Sequence, residues 1–205
     1  MEAILPKIKY IVVGTGIVFL LVLAIILAVS GFELTDIMLA LVKSGIAFTI
    51  ATLFWVFYDR VLWRKRGFRL FKLLSPVPDL NGRWEGTVKR TRNDQPHKFV
   101  VEVTQTFSTI SFKTFSKTSR GESLCATVLS QPSSGTFDVR SVWTTTTDKR
   151  GATSPETFHG ASHWKVSESS DRKMTIEDRY FTNRNPATTG IVAVEWTSAE
   201  RRNSF

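Results

Sequence analysis

Three stretches of the chain alternate bulky apolar residues with small polar ones. Phe137, Val139, Ser141 and Trp143 share one face of a strand-like segment. Phe158, Gly160, Ser162, Trp164 and Val166 share a face of the next, and Met174, Ile176, Asp178 and Tyr180 a face of a third. Residues two apart in a strand point the same way. Ser141, Ser162, Asp178 and Tyr180 set among rings suit a cavity that holds a ligand better than a dry core. Patterns for catalysis are missing. His159 and His163 lie four residues apart, about 13 Å along a strand, too far for one metal ion. Glu177 and Asp178 point to opposite faces and make no carboxylate pair. Cys125, the single cysteine, has no motif around it. Gly14-Thr15-Gly16 lies in an apolar run and cannot cradle phosphate. No enzyme activity and no metal site are expected.

The elements that position these residues follow from periodicity. After Ser75-Pro76-Val77-Pro78-Asp79, a stiff linker, the hydrophobic period changes from that of a helix to that of a strand. Eight strands are predicted, near residues 82–90, 98–107, 109–116, 123–130, 136–146, 157–167, 173–182 and 190–201. Turn-forming residues separate them, and no long helical pattern intervenes. Consecutive strands with short connections favour an antiparallel up-and-down barrel, lipocalin-like in form, over a two-sheet β-sandwich. Residues 76–205 are expected to form this ligand-binding domain.

Residues 1–75 read differently. Residues 10–29 contain no charge, and residues 37–58 only Lys43. Each would make a helix about 30 Å long, the thickness of a bilayer core. A transmembrane helical hairpin is expected rather than a cleaved signal peptide, whose apolar run is shorter. Glu33 and Asp36 lie between the runs; Arg60, Arg64, Lys65, Arg66, Arg69 and Lys72 follow the second. The positive-inside rule then places both termini and the barrel in the cytoplasm. A single cysteine agrees with a reducing compartment. Of the net charge of +9, residues 59–72 carry +5 and residues 76–205 carry +4. The basic junction suits anionic lipid headgroups better than DNA. Along the second helix Ala40, Ser44, Ala47 and Ala51 form a small-residue stripe of the kind that lets helices approach closely. Lys43 beside it either reaches the headgroups, pairs with Asp36 or Glu33, or serves as a cation at a helix–helix contact in assembly.

The first strand opens with Asn81-Gly82-Arg83-Trp84-Glu85-Gly86. Gly-x-Trp at this place resembles the lipocalin-type start, where the tryptophan plugs one end of the barrel, so Trp84 is expected to be structural. Taken whole, the two apolar runs, the basic junction and Pro76 to Gly86 before about eight strands resemble the two-transmembrane, β-barrel effectors of bacterial CBASS antiphage systems. The resemblance implies a cytoplasmic barrel that senses a cyclic oligonucleotide made by a CD-NTase enzyme. It further implies assembly of the helices, disruption of the bacterial inner membrane and abortive infection, with no cofactor beyond the activating ligand.

A cyclic dinucleotide requires donors or cations for two phosphates, aromatic faces for two bases and polar groups for their edges. The expected stacking residues are Trp143, Trp164, Tyr180 and Trp196. Arg140 and Arg179 are candidate cations, though alternation turns both outward, as is Arg184 near a barrel mouth. Thr114, Ser141, Ser162, Asp178 and Asn183 are candidates to read base edges. The competing expectation is a constitutive membrane-anchored lipid-binding or scaffold protein, which an aliphatic cavity would favour.

Overall fold

The computed structural model describes residues 4–29, 37–65, 78–91, 93–131, 136–147, 155–168 and 174–205. It divides into two units, one of residues 1–76 with 106–108, the other of residues 77–105 with 109–205.

The first unit holds two helices, α1 (Ile4–Val29) and α2 (Ile37–Arg60), and a 3₁₀ turn, Leu62–Arg64. Here the expected transmembrane hairpin is corrected: among the described residues, no helix is long and apolar enough to cross a membrane. A span needs about 20 consecutive, predominantly apolar residues. Helix α1 begins at Ile4, so Lys7 and Lys9 lie within it rather than ahead of it. Helix α2 carries Lys43, Ser44, Thr49 and Thr52 inside, and Asp59 and Arg60 at its end. The two-span placement in the inner membrane, with both termini cytoplasmic, is corrected on the same finding.

Several small residues are buried in the helical unit. Ala47 and Ala51 have no exposed surface, and Gly14 of α1 is buried. A Cβ at Gly14 would lie 2.6 Å from Cζ2 of Trp55, so glycine is what admits the indole there. At the end of α2, Tyr58 and Trp63 are buried, and the ring of Phe107 meets Tyr58 edge-on at 5.3 Å. The backbone N–H groups of Phe107 and Ser108 donate to the carbonyl and carboxylate of Asp59, at 3.0 and 2.8 Å.

The second unit is an eight-stranded antiparallel barrel. Its strands are β1 (Gly82–Arg90), β2 (Asn93–Gln105), β3 (Ile110–Ser116), β4 (Ser119–Gln131), β5 (Thr136–Thr147), β6 (Glu156–Glu168), β7 (Met174–Thr182) and β8 (Thr189–Ser198). They pair in sequence order and β8 returns to β1, which settles the choice between barrel and sandwich. Strand β2 starts five residues before its expected position. Pro96 is tolerated because the β1–β2 register slips between Val88 and Arg90, so its missing N–H breaks no regular pair. Strand β4 also starts early and absorbs Leu124 as a bulge opposite Trp143 and Val142.

Alternation places Trp84, Val101, Val103, Phe112, Val139, Trp164, Val166, Ile176, Val192 and Val194 in one buried cluster. One end of the barrel is closed. Trp84 is 0% exposed, and its indole N–H donates to the carbonyl of Leu80 at 3.0 Å. Gln105 laces the incoming chain to the end of β2: its side chain accepts from Leu80 N–H at 2.8 Å and donates to the Pro78 carbonyl at 2.9 Å.

Candidate functional site

In a meander, alternate turns share an end. The ends of β1, β3, β5 and β7 and the starts of β2, β4, β6 and β8 therefore lie together, opposite the end that Trp84 fills. They surround the mouth of a cavity of about 630 Å³, within the usual range for ligand pockets.

The walls are aromatic. Phe99, Phe112, Trp143, Phe158, Trp164 and Tyr180 all line the cavity. Trp143 stands 6.2 Å from Phe158 and 6.3 Å from Tyr180, and Trp164 lies 4.7 Å from Phe112. Two glycines keep rings against the wall. Gly160 is the cross-strand partner of Trp143, and Gly190 that of Tyr180. A Cβ at either position would run into the partner ring, at Cζ2 and Cη2 of Trp143 or at 2.5 Å from Cε1 of Tyr180. Glycine opposite each ring thus lets it lie flat and leaves the lumen open.

Polar groups are few and placed. Trp164 is only 3% exposed, and its indole N–H meets no acceptor among the described residues. A buried donor left so costs about 1–3 kcal/mol. Ser162, on the cavity wall, shares a 2.7 Å hydrogen bond with Ser141. Burial pushes the pKa of Tyr180 above the ordinary phenol value, and the Arg90 and Arg184 charges offset this only in part. Its hydroxyl thus stays protonated at neutral pH and can donate.

The mouth is cationic. Arg90, Lys98, Lys117 and Arg184 contribute to its lining, with His97 beside them. The guanidinium of Arg184 lies 4.5 Å over the Phe158 ring and is held by both carboxylate oxygens of Glu156. It is thus pre-aimed, with a carboxylate occupying the position that an anionic ligand would take.

Of the residues expected from sequence, the fold gathers Trp143, Trp164, Tyr180, Ser162, Thr114 and Arg184 at one cavity. Arg140 is exposed and does not line it. Trp196 pairs with Trp84 at the opposite end, is 40% exposed and donates to the Asn81 carbonyl. Asn183 is exposed and accepts from His159 N–H. The Asp178 side chain lies outside the described residues; its backbone pairs with Val192. In α2, Ser44 is half-buried, and the side chains of Ala40 and Lys43 lie outside the described residues.

Sequence reasoning missed Arg90, Lys98 and Lys117. The available signal was topological: all three flank the first and third turns, which a meander places at the same end as Arg184.

An eight-stranded barrel sealed at one end and open at the other onto an aromatic, cation-rimmed lumen defines a small-molecule receptor of the up-and-down barrel class. The family model for the Cap15 cyclic dinucleotide receptor domain matches residues 75–196, and the chain belongs to that family. The resemblance to CBASS effectors thus holds over the barrel. A search of curated proteins returned no match.

Proposed function

We propose that the barrel is the receptor for a cyclic dinucleotide that signals phage infection, and that binding changes the self-association of the helical unit. The observation that carries the receptor reading is the composition of one cavity: ring faces for two bases, a cationic mouth for two phosphates and a buried indole N–H that meets no acceptor among the described residues. Base–aromatic stacking contributes about 1–3 kcal/mol per base. Trp143 and Tyr180, laid flat by their glycines, offer faces for it. Arg90, Lys98, Lys117 and Arg184 answer the phosphates, and the Trp164 N–H a base carbonyl. An acyl chain would gain little from a cavity wall of rings that lend their faces to stacking.

Self-association follows from the outer surfaces of the helices. Val12, Ile17, Leu20, Phe48 and Leu53 are all more than half exposed, and apolar patches of this kind mark interaction sites. Because Ala47 and Ala51 are already covered within the unit, these larger residues form the contact surface. A ligand shifts such an equilibrium only as far as it prefers one state.

Titration of the full chain with cyclic dinucleotides covering all pairings of the four ribonucleotides tests the receptor reading. A binding member present at 100 times its Kd should stabilise the barrel by about 2.7 kcal/mol. It should also change the sedimenting mass of the full chain. Stabilisation by no member of the set sinks the receptor reading; binding with an unchanged mass sinks the coupling. Glu156→Gln gives a graded check. Removing the carboxylate that competes for Arg184 should tighten binding by about 3- to 10-fold, measured by calorimetry; weaker binding would show that the pair instead orients Arg184.

A further inference from the structure

Glu102 and Arg83 alternate with inward-pointing neighbours and so face the outside of the barrel. They are nevertheless only 2% and 4% exposed. What buries them is the chain after β8. Strand β8 finishes at the closed end, and residues 201–205 climb back along the outer wall over β1, β2 and β3. Arg201 bonds the hydroxyl of Thr104. One step higher, the Glu102 carboxylate accepts from Arg202 N–H at 2.7 Å and from Asn203 N–H at 3.1 Å. It also accepts from the Arg83 guanidinium at 3.0 Å, and the same guanidinium donates to the Ser204 carbonyl at 2.7 Å. Lys113 of β3 donates to the Asn203 side chain at 3.2 Å. Burial alone would lower the Arg83 pKa, but the hydrogen bonds and charges of Glu85 and Glu102 raise it, so the guanidinium keeps its charge in the latch.

A buried ion pair on an outer wall is stable only when its remaining hydrogen-bonding groups are met. Here the segment's own backbone meets them, so laying down the segment and burying the pair are one event. Its last described side chain, Phe205, lines the same cavity as Trp143 and Tyr180 while staying 50% exposed. The family match covers residues 75–196, so Glu102 and Arg83 lie within the matched span and residues 201–205 beyond it.

We propose that residues 201–205 form a strap, latched by Glu102 and Arg83, that holds Phe205 at the cavity mouth as a cover over a bound nucleotide. The strap sets how long the ligand stays and leaves its entry almost unaffected. An aromatic ring at the mouth stacks on an outermost base, and that contact forms last on entry and breaks first on escape. This rests on the barrel being a cyclic dinucleotide receptor.

The test compares the full chain with Phe205→Ala, using the same panel of cyclic dinucleotides and stopped-flow tryptophan fluorescence. Phe205→Ala should release the bound member about ten-fold faster while the association rate changes by less than two-fold. Glu102→Gln, which unlatches the strap, should speed release similarly, and the double variant should be no faster than either. Equal release rates for wild type and Phe205→Ala overturn the strap and leave the receptor reading standing. A wild-type chain that binds no member overturns both. Because Phe205 is half-exposed and outside the core, its variant decides the matter even where Glu102→Gln does not fold.

Discussion

Gly160→Ala should weaken cyclic dinucleotide binding by about 10- to 100-fold while the barrel still folds. The added methyl falls on Cζ2 and Cη2 of Trp143, the residue directly across the β5–β6 ladder, and lies 2.7 Å from the Phe181 carbonyl. The ring has one free direction, which is into the lumen. The backbone shift that accompanies it costs the barrel about 1–3 kcal/mol, the usual range for overpacking. A lumen crossed by an indole loses at least one base-stacking face, a contact worth about 1–3 kcal/mol, or roughly 10- to 100-fold in Kd. Far-UV circular dichroism and a urea titration check the fold, and calorimetry reads the affinity. Unchanged affinity in a folded Gly160→Ala would mean that Trp143 does not contact the ligand. Trp143→Ala in the same background separates the two causes, since it clears the lumen without restoring the stack.

Trp84→Ala is expected to cost the barrel about 3–5 kcal/mol, the range for truncating a fully buried tryptophan. Domain stabilities are typically about 5–15 kcal/mol, so this is a large share of the total. Trp84 has no exposed surface and belongs to the same buried cluster as Val101, Val103 and Val194. Its removal also leaves the Leu80 carbonyl without the indole donor. The Gln105 bonds to Leu80 and Pro78 depend on the same stretch, so loss of the ring loosens the lacing at that end. Urea unfolding of the full chain, followed by the barrel's tryptophan fluorescence, measures the change. A loss below about 1 kcal/mol would show that the closed end does not depend on Trp84.

The strands were legible because their alternation is strong. Val101 and Val103, Ile176 and Tyr180, or Val139 and Trp143 recur with period two, and no other element produces that run. What alternation does not carry is height along the barrel. Trp196 has the right residue type, yet its pairing with Trp84 puts it at the wrong end. Arg140 has the right charge on the wrong face. Conversely, Arg90, Lys98 and Lys117 look like ordinary charged residues at strand ends until the closure of the sheet brings alternate turns together. The glycines were visible as letters but not as spaces, because Gly160 is meaningful only through its cross-strand partner. The helical segment misled in another way. Hydropathy sums residue types over a window, and it began the first helix at the uncharged run of residues 10–29, although α1 begins at Ile4 and takes in Lys7 and Lys9.

The pairing of β8 with β1 has a consequence for how this protein meets its own copies. Every strand has a neighbour on both sides, so the backbone offers no row of free donors and acceptors to a second sheet. Open edges recruit further strands, and such growth is hard to reverse. With that route closed among the described strands, the proposed self-association would rest on side chains, and contacts of that kind dissolve by mass action. On the proposed reading, a response built on this barrel can therefore be switched off as well as on.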